Sequence, residues 1–156
     1  MDFLTNPQIQ IIFQLFLAVI LGGIVGFERE WKRKAAGLKT HSLTCLGATI
    51  FSIISLEAFN DWLGKPGVSL DPSRIIAGVV MGVGFIGAGL IIYRRFRIEG
   101  LTTAAGLWVV SAIGAAIGVK LYFLAIFAAF LTLGILTVLK LLEEKIFNKG
   151  GIEEIE

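Results

Sequence analysis

At 156 residues the chain has the length of one domain, yet 56% of its residues are hydrophobic, 19 more are glycine, only 17% are charged, and the mean hydropathy is +0.84. Apolar residues and glycine together make up about 45–50% of a soluble domain, and a fold this small leaves too much surface in water to hide the surplus. An integral membrane protein is therefore expected, which excludes disorder, a disulfide scaffold and a nucleic-acid-binding domain; the single cysteine, Cys45, permits no intramolecular disulfide and no cysteine-rich metal cage.

Five apolar stretches approach the ~20 residues that a membrane-crossing helix needs. The first runs from about Ile9 to Phe27. Its leader, Met1 to Gln10, holds Asp2 and no Lys or Arg, so it lacks the basic region of a signal peptide and is expected to be a true span. The second runs from about Ser42 to Phe59, the third from Ile75 to Tyr93, the fourth from Thr102 to Val119 and the fifth from Leu121 to Leu139. Little more than Lys120 separates the last two, which predicts a tight helical hairpin. Alternating strand patterns are absent, and the segment from Arg94 to Leu101 is expected to be a loop. The predicted fold is therefore an all-α bundle of five transmembrane helices, with a membrane domain over residues 1–142 and a short tail over 143–156.

Charge placement orients the bundle. Eleven Lys and Arg fall in the first loop, the third loop and the tail, against only Lys65, Arg74 and Lys120 on the other side. The positive-inside rule then puts the amino terminus outside and the tail in the cytoplasm.

Four constellations are candidates for function. Glu28-Arg29-Glu30 closes the first span at the basic face. Its acids can pair with Lys32 and Lys34 at helical spacing, or offer oxygen ligands to Mg²⁺. His41, the sole histidine, suits a hydrogen bond at a helix end better than a switch or a metal ligand. In the second span Ser42, Cys45, Thr49 and Ser52 share a face, which either packs on a neighbour while its hydroxyls bond back to carbonyls or lines a polar path.

Asp71-Pro72-Ser73-Arg74 opens the third span with a cap and a first-turn proline. Arg74 breaks the charge rule there, so it is expected to pair with Asp71 or Glu57, or to serve an ion or a partner. The third span itself carries Gly78, Gly82, Gly84, Gly87 and Gly89. Gly82, Gly84 and Gly87 form a nominal dinucleotide motif, but inside one apolar helix it has no strand-to-helix turn and is spurious. The one-turn spacing of Gly78 and Gly82, repeated in Gly22/Gly26 and Gly114/Gly118, suits close helix approach within the chain, a subunit interface, or unwinding around a ligand.

No Asp, Glu, Lys or Arg lies deep in a span, which disfavours a proton-coupled carrier. No catalytic triad, phosphate loop or catalytic carboxylate pair appears. An enzyme is not expected, nor any cofactor, although the acids could coordinate a hard cation such as Mg²⁺.

Taken in order, these segments resemble the MgtC/SapB family of membrane proteins. The pattern is carried by Gly22-Gly23-Ile24-Val25-Gly26-Phe27-Glu28-Arg29-Glu30, by Ala36-Gly37-Leu38-Lys39-Thr40-His41 and by Asp71-Pro72-Ser73-Arg74-Ile75. It continues in the glycine-rich run from Gly82 to Gly89 and in Gly100-Leu101-Thr102-Thr103-Ala104-Ala105 with Trp108. The resemblance implies a multi-pass protein of the bacterial inner membrane, tied to magnesium homeostasis and stress. In the family's best-known branch this is growth at low magnesium and restraint of the F-type ATP synthase. Two departures set this chain apart from that branch. It ends at Glu156, where those members carry a soluble domain, and Thr102 and Gly106 stand where they have asparagine and threonine. The expected role is a regulator working in the bilayer through contacts with a second copy, most simply as a dimer, or with another membrane protein. The alternative is a transporter or channel for Mg²⁺ or another small solute; nucleic acid is not an expected partner.

Overall fold

Asn6 accepts a hydrogen bond from the Gln8 amide at 3.0 Å and, with Pro7 in the first turn, starts the first helix, α1, Pro7–Trp31. At 1.5 Å per residue its 25 residues span about 38 Å, more than the ~30 Å hydrocarbon core, so its last turns reach the interface. The computed structural model describes residues 6–58, 71, 73–94, 96–139, 142 and 145. Within them follow α2, Leu38–Glu57; α3, Ser73–Leu90; strands β1, Ile92–Arg94, and β2, Arg97–Glu99; α4, Leu101–Gly118; and α5, Tyr122–Gly134, continued by one π-helical stretch, Ile135–Leu139. The predicted tail lies outside the described residues except for Lys145, as do Lys65 and Pro72.

The expected all-α bundle of five helices is present. Four of the helices are long and apolar enough to cross a membrane: α1, α3, α4 and α5 with its π-helical extension. The exception is α2, which is 20 residues long but rich in hydroxyls. It compensates by position, lying between α1 and α4. Two glycine pairs line that slot. A Cβ on Gly26 would stand 2.8 Å from Leu38 Cα, and one on Gly118 would stand 2.8 Å from the Thr49 carbonyl oxygen. Gly22 and Gly114 close on Cys45 from either side. The core around this slot holds Leu21, Val25, Cys45, Val110, Ile113 and Ile117, joined by Ala125 and Ala129 of α5.

Hydroxyls along α2 engage carbonyls, as one of the two uses of its polar face requires. Thr49 Oγ1 lies 3.0 Å from the Cys45 carbonyl and 2.8 Å from that of Gly114, and Ser52 donates to Ala48 at 2.8 Å.

Helix α3 departs from expectation. Among its residues only Val83 and Gly87 are buried. A Cβ on Gly78, Gly82, Gly84 or Gly89 would meet nothing within 4 Å, and one on Gly87 only Ala104 at 3.4 Å. The close-packing role the spacing allows therefore falls to α1 and α4, because α3 is applied to the bundle's edge rather than inserted in it.

A second correction follows at its end. The third helix stops at Leu90, short of Tyr93, and the expected loop is an antiparallel hairpin pairing Ile92 with Glu99, Tyr93 with Ile98 and Arg94 with Arg97. Gly100 makes this possible: at φ +91° it turns the chain so tightly that a Cβ would strike the Leu90 carbonyl.

The predicted α4–α5 hairpin is present. Leu121 N–H bonds to the Ala116 carbonyl at 2.8 Å and Lys120 N–H to that of Ile117 at 3.0 Å, with Lys120 at φ 66°. That is the Schellman closure, usually built on glycine. Arg33, at φ 50°, closes α1 in the same way: its amide bonds to Glu30 and the next, Lys34, to Arg29, both at 2.9 Å.

Candidate functional site

The last turn of α1, the start of α2, the start of α4 and the π-helical end of α5 meet at the end of the bundle that carries the basic loops. Here Glu28 and Arg29 are buried, at 9% and 3% exposure, and His41 is fully enclosed. Such groups are costly to bury without partners. Lys32 supplies one, holding Glu28 Oε1 at 2.5 Å while donating to the Leu136 carbonyl at 3.1 Å. That carbonyl lies in the π-helical stretch, so Lys32 ties the end of α1 to the irregular end of α5. Arg29 lies 3.9 Å from the other Glu28 oxygen and donates from Nη2 to Thr103 Oγ1 at 2.9 Å.

His41 closes the network from α2. Its Nδ1 is 2.9 Å from the Gly37 carbonyl, an acceptor only, so Nδ1 carries the proton. The expected helix-end hydrogen bond is thus formed. Its Nε2, the Nε of Arg29 and both Glu28 carboxylate oxygens are buried without a hydrogen-bond partner among the described residues, the Glu28 oxygens meeting Lys32 and Arg29 as ion pairs. Gly106 leaves room beside that ring: a Cβ there would sit 3.5 Å from Nε2.

Glu30 does something other than pair with Lys34. It accepts a hydrogen bond from the Leu38 amide at 2.7 Å and so caps α2 in place of the missing side chain of Gly37. A Cβ on Gly37 would fall 2.6 Å from the Glu30 carboxylate, which makes this glycine a requirement of the cap.

Of the motif residues, Glu28, Arg29, Glu30, Gly37, His41 and Thr103 therefore converge. Thr40 faces the space between α2 and α3, Thr102 is exposed, and Trp108 is half exposed on α4. Gly82, Gly84, Gly87 and Gly89 lie on α3, where only Gly87 has a close neighbour, Ala104, the residue after Thr103. Asp71 and Arg74 stand at the opposite end of α3. They pair at 3.7 Å with Arg74 87% exposed, while Glu57 approaches Lys120 instead. Asp71 Oδ1 also accepts from the Ser73 amide and hydroxyl, and these bonds, with Arg74 adding, hold its carboxyl below the usual carboxylate range.

Gln14 carries no signal in the sequence beyond being a lone amide in an apolar run. It is 1% exposed and donates to the carbonyls of Ile117 at 2.6 Å and Gly118 at 3.1 Å, satisfying the end of α4 inside the bundle.

Among the described residues the network offers no ligand set for a resident Mg²⁺. The described residues hold no group of three or more His, Cys, Asp and Glu placed to share an ion. Glu28 is flanked by two cations and Glu30 is engaged as a cap.

The MgtC family pattern matches residues 15–145, which include every element of the network. The chain belongs to the MgtC family. It is 48% identical over 141 residues to "Putative magnesium transporter YhiD" of Escherichia coli K12, covering 90% of this chain and 66% of that protein. Protein SrpB of Synechococcus elongatus is 37% identical over 139 residues, 84% of this chain and 75% of SrpB. Protein MgtC of Salmonella typhimurium is 38% identical over 107 residues, 69% of this chain and 42% of MgtC. The chain thus spans just under two thirds of YhiD and less than half of MgtC. No solved structure matches it.

Proposed function

We propose that this MgtC-family protein is a non-enzymatic regulator in the bacterial inner membrane, linked to magnesium homeostasis and acting through contacts with other membrane proteins. Its amino terminus faces outward and its basic loops face the cytoplasm. One observation carries this: three buried polar side chains tie one helix to another, and the buried hydroxyls of Ser52 and Ser55 bond back to their own helix, so these groups are committed to packing. Gln14 holds α4 carbonyls, Thr49 reaches Gly114, and Arg29 reaches Thr103. The space between α2 and α3 is walled mostly by apolar side chains and glycine, which cannot replace the water of a divalent ion.

A transporter is the second reading, favoured by the printed name of the relative from Escherichia coli. Purified protein in liposomes loaded with a Mg²⁺-sensitive dye separates the two. Regulation predicts the leak rate of empty vesicles, together with restored growth at low magnesium when the gene is returned to a deletion strain. Saturable Mg²⁺ entry would overturn it.

A further inference from the structure

Between α2 and α3 the helices part around a cavity of about 1070 Å³ that opens to the side of the bundle. This is slightly above the ~300–1,000 Å³ typical of small-molecule pockets. Along α2 it runs from Lys39 to Ile54, about 22 Å at 1.5 Å per residue. Its walls are Leu43, Phe51, Val79 and Phe85 with Gly47, Gly78 and Gly82, whose faces meet nothing within 4 Å. Polar groups gather toward one end. Among the described residues Lys39 is the only ionisable one in the lining, and it forms no ion pair with any of them. Thr40 adjoins it, and both lie at the end of the bundle that carries the basic loops.

We propose that this cavity holds one anionic phospholipid of the cytoplasmic leaflet, with its acyl chains along Gly47, Gly78 and Gly82 and its phosphate at Lys39. Charge complementarity selects this occupant over a second copy. The α3 of another chain has no carboxylate anywhere between Ser73 and Leu90 to meet Lys39, and its one charge, Arg74, is of the same sign. A phosphate meets the ammonium directly, and basic pockets between helices on the cytoplasmic side are where anionic head groups dock. Beyond ordinary lipid contact, the cavity is required to retain one lipid per chain outside the bilayer.

The test is native mass spectrometry and thermal unfolding of the full chain in mild detergent, with added phosphatidylglycerol, phosphatidylcholine or free glycerol phosphate. Wild type is expected to retain one phosphatidylglycerol per chain and to be stabilised by it more than by the other two. Lys39→Gln, at an exposed position, should lose about fivefold in phosphatidylglycerol affinity, the effect of one lysine on an anionic surface, and should then bind both lipids alike. The double variant Gly78→Leu, Gly82→Leu fills the cavity where no neighbouring atom obstructs it. It should keep its helix content and lose the retained lipid. Retention equal to wild type in both variants would overturn the proposal. So would a change in oligomeric mass with lipid binding intact, which gives the cavity to a second copy. Stabilisation by glycerol phosphate equal to that by the lipid would also overturn it, since Lys39 would then bind phosphate without the acyl site.

Discussion

Replacing Gly22 by alanine isolates the contact that seats α2. The added Cβ would stand 2.7 Å from Cys45 Cβ, 2.8 Å from the His41 carbonyl oxygen and 3.1 Å from Ser42 Cα. None of these atoms can swing aside, so α1 and α2 must separate along their shared face. Overpacking of this kind costs about 1–3 kcal/mol. The same substitution at Gly82 meets nothing within 4 Å. Both positions are inside helices, so the gain in helix propensity from glycine to alanine, about 1 kcal/mol, is common to the two and cancels in their difference. Gly22→Ala is therefore expected to be less stable than Gly82→Ala by about 1–3 kcal/mol. Unfolding in mixed micelles with increasing dodecyl sulfate, followed by circular dichroism, measures this difference. Equal midpoints, or a lower one for Gly82→Ala, would refute the placement of close packing between α1 and α2.

Thr103→Val should cost about 1.5–3 kcal/mol in the same unfolding assay, since it takes the acceptor from a buried guanidinium, whereas Thr102→Val at an exposed site should cost nothing measurable. Gln14→Leu keeps the volume but takes the amide donor from the Gly118 carbonyl and leaves that of Ile117 with the Lys120 amide alone, and a loss of about 1–3 kcal/mol is expected; wild-type stability would mean that the Gly118 carbonyl finds another partner. At the far end of α3, Asp71→Ala should fray the first turn, seen as faster amide exchange, while Arg74→Ala should leave it unchanged, because the cap to Ser73 rather than the exposed pair is what orders it. The Asp71 carboxyl is held low in the folded state, so its contribution is complete above the ordinary aspartate value near ~3.9 and fades as pH falls through the lower folded value; first-turn exchange that ignores acidification would count against the cap. Orientation is checked by cysteines at Arg74 and Lys34 in a Cys45→Ala background: a membrane-impermeant thiol reagent should label the first in intact cells and the second only after permeabilisation, and the reverse would invert the topology.

Composition and periodicity alone determine that this chain lives in a bilayer as a helical bundle, because 156 residues with 56% apolar side chains have no other solvent. The sequence also makes legible the α4–α5 hairpin, the Asp71 cap and the placing of Glu28, Arg29, Glu30 and His41 at span ends, since caps, turns and charges at span ends are local in the chain. Tertiary structure decided which glycines carry the packing. Gly22 and Gly82 stand in similar local patterns, and only the insertion of α2 between α1 and α4 distinguishes a crowded glycine from one facing open space. It decided as well that Glu30 caps α2 rather than pairing along its own helix, that Gln14 reaches across 103 residues of sequence to α4, and that Arg29 finds Thr103 at a separation of 74. Those partners are set by which helix ends meet in space, and helical periodicity fixes only the face on which a side chain starts.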